Sequence, residues 1–296
     1  MKIAIAGSSG LIGTQLVASL RADGHEVLRL VRRPATAPTE VSWNPADGTV
    51  DIDQLTGIDA LVNLAGAGVG DHRWSAKYKA TILNSRVDST ALCAEIASKV
   101  RPQVFISASA IGWYGDTADR EVNESSPAGE GFLADVVVAW EAAAQPARDA
   151  GIRVVHPRTG LVISNKGGAW GKLLPIFKLG LGGKMGSGKQ YWSFISMADE
   201  VGALKFLLTN EAISGPVNLT APVPATNAQI TKSMGRILRR PTLFAVPAII
   251  LKTVLGEFSQ EILGSTRVIP QVLTEDGYPR IHPTLDTALQ TLKEDA

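Results

Sequence analysis

One cysteine in 296 residues, Cys93, excludes an intramolecular disulfide and a thiolate metal cluster. Its neighbours Ala91, Leu92 and Ala94 place it at a buried helix position. Net charge is equally scarce: 29 basic against 28 acidic side chains leave +1, and only 19% of residues are charged. No field of one sign exists to gather phosphodiesters, so no nucleic-acid partner is expected. Long apolar runs are missing too. The longest, Leu243 to Leu255, is broken by Pro247 and Lys252 and falls short of the ~20 residues a spanning helix needs, so no membrane partner is expected. At the N-terminus, Ile3-Ala4-Ile5-Ala6 gives way to glycine before reaching the length of a signal-peptide core, and a reducing cytoplasm is the expected location.

What the chain does have is 45% hydrophobic residues, enough for a sizeable core. Short β-type runs at Ile3–Ala6, Val27–Val31, Ala60–Leu64, Val104–Ser107 and Arg153–His156 alternate with helix-period stretches at Leu11–Ala22, Ser75–Val100 and Phe132–Ala150. That alternation predicts an α/β fold, a Rossmann-like doubly wound parallel sheet with a smaller C-terminal substrate or cap lobe. We expect the dinucleotide-binding domain over residues 1–166, with 191–225 returning to it. Residues 167–190 and 226–296 would form the substrate lobe, with a helical cap from about residue 247. Ser196 to Asp199 and Thr226 to Gln229 read as capping boxes that start two further helices, and Pro216–Leu219 between them reads as a strand.

After the first strand stands Gly7-Ser8-Ser9-Gly10-Leu11-Ile12-Gly13, with a helix beginning inside it. Glycines in this context let the backbone turn tightly and approach a pyrophosphate seated on the positive helix end. The spacing differs by one position from the general dinucleotide fingerprint. At the end of the second strand, where an acidic residue would hold the ribose of NAD, the chain reads Arg32-Arg33. These guanidiniums either receive a 2′-phosphate, which favours NADP(H), or form a solvated basic turn. A second glycine pattern, Gly183 to Lys189, mimics a phosphate-binding P-loop. It carries Gln190 where a magnesium-binding hydroxyl belongs and has no strand before it, so a nucleoside-triphosphate site is not expected.

The glycine turn, Asn63-Leu64-Ala65-Gly66, Ser107-Ala108-Ser109-Ala110-Ile111-Gly112-Trp113-Tyr114-Gly115, Pro157-Arg158-Thr159-Gly160, and Gly186 to Gln190 leading to Phe194-Ile195 and Asp199 form a set. This set resembles the extended short-chain dehydrogenase/reductases. Arg73-Trp74, Ser85-Arg86, Trp140-Glu141 and Leu219 to Pro222 with Thr226-Asn227 resemble one uncharacterised epimerase-like subfamily, whose short C-terminal domain of unknown function is matched from about Pro247. The resemblance covers nearly the whole chain. It implies that Gly7, Ser9, Gly10, Leu11, Ile12 and Gly13 hold the cofactor pyrophosphate, Arg32 and Arg33 the 2′-phosphate, and Leu64, Ala65 and Gly66 the adenosine side. Arg86 would reach the cofactor phosphates, unless it forms a helix-surface salt bridge.

The departures bear on chemistry. The family's proton-transfer pair, Tyr-x-x-x-Lys, is missing, and registering on Glu141 puts Leu133 and Val137 at its two positions. Neither side chain moves a proton. The expected catalytic candidates are therefore Ser109, able to hold a substrate oxygen or else bonded to backbone, and Tyr114, a phenol without a neighbouring cation. His156, between Val155 and Pro157, reads as a packed structural histidine. Trp192 falls where nucleotide-sugar enzymes carry a diphosphate-clamping arginine. With Met185, Tyr191, Phe177 and Leu181 it forms either an apolar substrate wall or the core between lobes, and Lys184 and Lys189 add charge nearby. Two functions stand at this point. One is an NADP(H)-dependent oxidoreductase or epimerase on an unidentified small molecule, and the other a catalytically degenerate NADP(H)-binding sensor or interaction protein.

Overall fold

Apolar runs without helical period become the centre of the computed structural model, which describes residues 1–294. β1 (Lys2–Ala6), β2 (Glu26–Val31), β3 (Glu40–Asn44) and the two-residue β4 (Thr49–Val50) make one half of the main sheet. β5 (Ala60–Asn63), β6 (Val104–Ser107), β7 (Ser109–Ala110), the off-sheet β8 (Glu121–Val122) and β9 (Arg153–Thr159) follow. Short strands β10 (Leu161–Ile163), β11 (Tyr191–Trp192) and β12 (Phe194–Ser196) precede β13 (Gly215–Leu219), and β14 (Ala225–Thr226) and β15 (Arg267–Val268) complete the set. The sheet order is β13-β9-β6-β5-β1-β2-β3-β4, with β7 beside β9. All its pairings are parallel except that of β3 with β4. Strand order therefore reverses between β1 and β5, and such a reversal opens a crevice at the carboxyl ends of the strands.

Helices cover both faces. α1 (Leu11–Ala22), α2 (Ala76–Val100), α3 (Phe132–Ala142), α4 (Gln145–Asp149), α5 (Gly168–Lys178) and α6 (Met197–Thr209) belong to the first two-thirds of the chain. The alternation of β1 divides the core: Ile3 and Ile5 pack with Leu16 and Leu20 of α1 and Leu204 of α6, while Ala4 and Ala6 pack with Leu92, Cys93 and Ile96 of α2. A strand buried on both sides must be apolar throughout, as β1 is. α7 (Asn227–Leu238), α8 (Ala248–Leu255), α9 (Ser259–Leu263), α10 (Gln271–Glu275) and α11 (Leu285–Glu294) follow. A third cluster joins Trp170, Leu174 and Phe177 of α5 to Ile230 and Met234 of α7 and Leu289 of α11. The α/β, Rossmann-like expectation holds, and Cys93 is fully buried as expected.

Local chemistry explains the boundaries. Ser75 caps α2 by accepting from the Tyr78 N–H, and Thr226 with Gln229 makes a reciprocal capping box on α7. At α6 Ser196 accepts from Asp199 N–H, but the Asp199 carboxylate turns instead to the Ile281 and His282 N–H groups and fastens the C-terminal tail. One expected helix, Phe132–Ala150, is two. Pro146 lacks the N–H that would continue α3, and the chain restarts as α4. β3 and β4 were not expected.

In the first turn of α6, Glu200 is 1% exposed. It accepts one hydrogen bond, from Thr159 Oγ1 at 2.8 Å, and its Oε2 meets no partner. Burial pushes this carboxyl up to about 8. Between an unfolded value of ~4.3 and the folded one, the native state holds a proton that the unfolded state has lost, so stability falls as pH rises through that window. Urea unfolding measured from pH 4 to pH 9 is expected to show this decline, and Glu200→Gln to flatten it. Parallel profiles for the two proteins would rule the assignment out.

Candidate functional site

The crevice is lined first by the glycine turn. Gly7 takes φ +74°, and a Cβ there would stand 2.5 Å from the Leu64 carbonyl carbon, so only glycine lets the turn pack on the loop after β5. A Cβ on Gly13 would collide with the Gly7 carbonyl, which seats α1 directly on the turn. Gly10 is exposed, as is Ser9. It precedes α1 with no side-chain cap and no acidic residue in the first turn, so the leading N–H groups, those of Leu11, Ile12 and Gly13, have no side-chain cap.

Asn63, fully buried, shapes the neighbouring loop: its Oδ1 accepts from Ala65 N–H and its amide donates to Thr90 Oγ1. Leu64 N–H donates to Ala6 and so ties Leu64, Ala65 and Gly66 to the end of β1. A Cβ on Gly66 would stand 3.3 Å from the Arg86 guanidinium carbon. Arg86 donates to the carbonyls of Ala67 and Ile82 and lies over the Trp140 ring, 5.0 Å from its centroid. Burial lowers it to about 10. Among the described residues it has no carboxylate partner, so the salt-bridge alternative is not realised. Gly7, Leu64 to Gly66 and Arg86 thus stand together.

The basic pair divides. Arg32 lies two residues past Leu30, which pairs with Ala6, and is therefore at the carboxyl edge beside the glycine turn. It is exposed and in no ion pair among the described residues. Arg33 is held: it forms a forked pair with Glu40 at 2.9 and 2.7 Å. Glu40 also accepts from Arg29, Thr36 N–H and Thr36 Oγ1, and the Arg33 guanidinium, with the two Thr36 bonds, holds its carboxyl down at about 2. A carboxylate from outside that segment, Glu40 of β3, thus occupies Arg33 and leaves Arg32 unpaired among the described residues.

Both catalytic candidates are tied into one buried network, and Tyr114 does have a neighbouring cation, Arg158. Ser109 is 4% exposed and donates to Glu141 Oε1 at 2.6 Å, neither free nor bonded to backbone. Tyr114 is 2% exposed; it donates to Asn218 Oδ1 at 2.8 Å and accepts from Arg158 Nη1 at 3.1 Å. Burial raises its phenol further above the ordinary value, despite the Arg158 cation beside it. Glu141 and Arg158 are themselves a buried, doubly bonded ion pair at 2.8 and 2.9 Å, and the Trp113 ring covers the guanidinium at 3.9 Å. Ser109 and Tyr114 are thus two ends of one structural network. Leu133 and Val137 face Gly112, with no proton-moving group at their positions. His156 is packed as expected: Arg148 donates to Nε2, Nδ1 meets the Ser107 carbonyl, and burial lowers it to about 4.

The residues about Trp192 do not converge on an open wall. Trp192 donates its indole N–H to the Ile262 carbonyl, Tyr191 lies under Arg267, Phe177 is core, and Leu181 faces solvent. Met185 pairs with Val246. Gln190 donates to the Met185 and Ile262 carbonyls and is followed by β11 rather than a helix, which disposes of the P-loop pattern.

Comparisons with known proteins agree with this geometry. The model of the NAD dependent epimerase/dehydratase family matches residues 3–219, and a domain of unknown function (DUF1731) matches residues 246–292. An epimerase family protein of Mycobacterium bovis is 45% identical over 288 residues, 97% of this chain and 96% of that one. The mouse epimerase family protein SDR39U1 is 32% identical over 98% of this chain and 99% of its own. The crystal structure of human epimerase family protein SDR39U1 (isoform 2) with NADPH superposes with a TM-score of 0.92 at 33% identity, covering 100% of both chains. The matched family model spans the main sheet, the glycine turn, the Leu64–Gly66 loop and Arg86 of α2, and the chain belongs to the NAD dependent epimerase/dehydratase family.

Proposed function

We propose that this chain binds NADP(H) along the carboxyl edge of its sheet and acts on a small molecule as an oxidoreductase or epimerase. The observation that carries the reading is Arg86, a half-buried cation that has no carboxylate partner among the described residues and stands beside the glycine turn and the Leu64–Gly66 loop. A guanidinium so placed calls for an external anion, and a cofactor phosphate is one. Gly7, Ser9, Gly10, Leu11, Ile12 and Gly13 would cradle the pyrophosphate through backbone N–H groups. Arg32 would take the 2′-phosphate, while Arg33, braced by Glu40, shapes that corner. Leu64, Ala65 and Gly66 would flank the adenosine. The NADPH named with the human relative supports the same choice. When bound, the nicotinamide supplies or accepts a hydride, and the protein's share is position and exclusion of water.

The locked hydroxyls of Ser109 and Tyr114, with Leu133 and Val137 at the relay positions, favour a second reading: a protein that binds NADP(H) without turnover. A metabolite panel followed by NADPH absorbance separates the two, since the enzyme reading requires a hit. Standard UDP-hexoses are expected to give none, because positioned proton transfer is worth roughly a hundred- to ten-thousand-fold in rate and its usual groups are absent.

Isothermal titration is expected to show NADPH binding more tightly than NADH, and Arg32→Ala to remove about tenfold or more of the preference, the worth of a charge-assisted bond. Arg86→Leu should weaken both cofactors alike. Equal affinities in the unaltered protein would sink the assignment.

Glu141→Ala is expected to lower unfolding free energy by about 3–5 kcal/mol, the cost of stranding a buried charge, with Tyr114→Phe costing about 1 kcal/mol. Chemical denaturation measures both; a negligible loss for Glu141→Ala would contradict the network.

A further inference from the structure

Exposed large apolar side chains gather on one part of the surface. Leu179 and Leu181 follow α5, Leu243 and Phe244 precede α8, and Ile249 and Val254 stand on it; Leu243 and Ile249 are 84% and 70% exposed. These segments are neighbours. Arg240 Nε donates to the Lys178 carbonyl at 2.8 Å, Val246 N–H donates to the Lys184 carbonyl at 2.9 Å, and a Cβ on Gly180 would stand 3.4 Å from Pro241. α8 turns Leu251 inward and Ile249 and Val254 outward. An exposed apolar patch of this extent is unusual on a soluble monomer and marks a contact surface.

Charge identifies what covers it. No Asp or Glu occurs between Asp149 and Asp199, nor between Glu211 and Glu257, although the whole chain is nearly neutral. Lys178, Lys184, Arg239 and Lys252 border the apolar face, and none forms an ion pair among the described residues. A second copy of the chain would bring cation against cation. A soluble acidic partner would answer the charge and leave the aliphatic tips without a counterpart. An anionic bilayer answers both, with apolar tips at the headgroup–acyl boundary and lysines at the phosphate level. From this combination we propose that the face formed by the end of α5, residues 240–247 and α8 docks on an anionic lipid bilayer. None of the described helices is long and apolar enough to cross a membrane, and docking in the interfacial plane needs no such helix. The expectation of no membrane partner rested on the missing spanning run, and the proposed peripheral contact needs no such run.

Flotation of the full chain with phosphatidylcholine vesicles, with and without phosphatidylglycerol, tests this. Bound protein is expected to be about tenfold greater on the anionic vesicles and to fall as salt is raised. Leu243→Asp with Ile249→Asp, both at solvent-facing positions, should abolish flotation at an unchanged melting temperature. Lys178→Glu with Lys252→Glu should weaken it. Flotation of neither vesicle type, equal flotation of the aspartate variant, or a soluble dimer that the aspartates convert to monomer would each overturn the proposal. Preferential binding of an acidic peptide with no vesicle binding would overturn it in favour of a protein partner.

Discussion

The buried pair of Glu141 and Arg158 is the constraint on which the centre of this molecule depends. Two charges removed from water are a liability unless their bonding capacity is met. Here Oε1 takes Ser109 and Arg158 Nε, Oε2 takes Arg158 Nη2, Nη1 goes to Tyr114, and Trp113 covers the guanidinium face. Through Asn218 the network passes from β13 to the tail, where the Asn218 amide donates to the Ile269 carbonyl and Glu124 gathers the N–H groups of Asn218, Gln271 and Val272. One ion pair thereby joins α3, the turn after β7, two sheet strands and the C-terminal segment.

Set beside Arg158, Arg86 shows how the same residue type is put to opposite uses. Arg158 is saturated from within and its environment raises it above the ordinary arginine value, whereas Arg86 is lowered by burial and finds only carbonyls and an aromatic face. The first fixes the fold. In the function proposed above, the second is the one that meets a cofactor phosphate. Ser109 and Tyr114 belong to the first arrangement, whereas the positions of the family's proton-transfer pair, Leu133 and Val137, are apolar and pack near Gly112.

Features set by neighbouring residues were legible in the sequence. The strands, the glycine turn, the capping box at Thr226 and the buried Cys93 depend on period, caps and φ values local to each segment. Features set by distant partners were not. Ser109 meets Glu141 across 32 residues and Tyr114 meets Arg158 across 44, so motif position alone did not show these partners. Glu40 escaped notice because its carboxylate reaches Arg33 only once β3 lies beside β2. The break between α3 and α4 was missed because the apolar period runs on through it, although Pro146 with its missing N–H was the signal for it.

Cys93 sits between α2 and the sheet with no exposed surface, and desolvation raises its thiol well above the ordinary range. As the chain's sole sulfhydryl it is silent toward alkylating reagents for as long as that layer stays closed. Every molecule that does react has opened its core. The rate of modification therefore clocks the opening of the helix–sheet layer, without a probe having to be introduced.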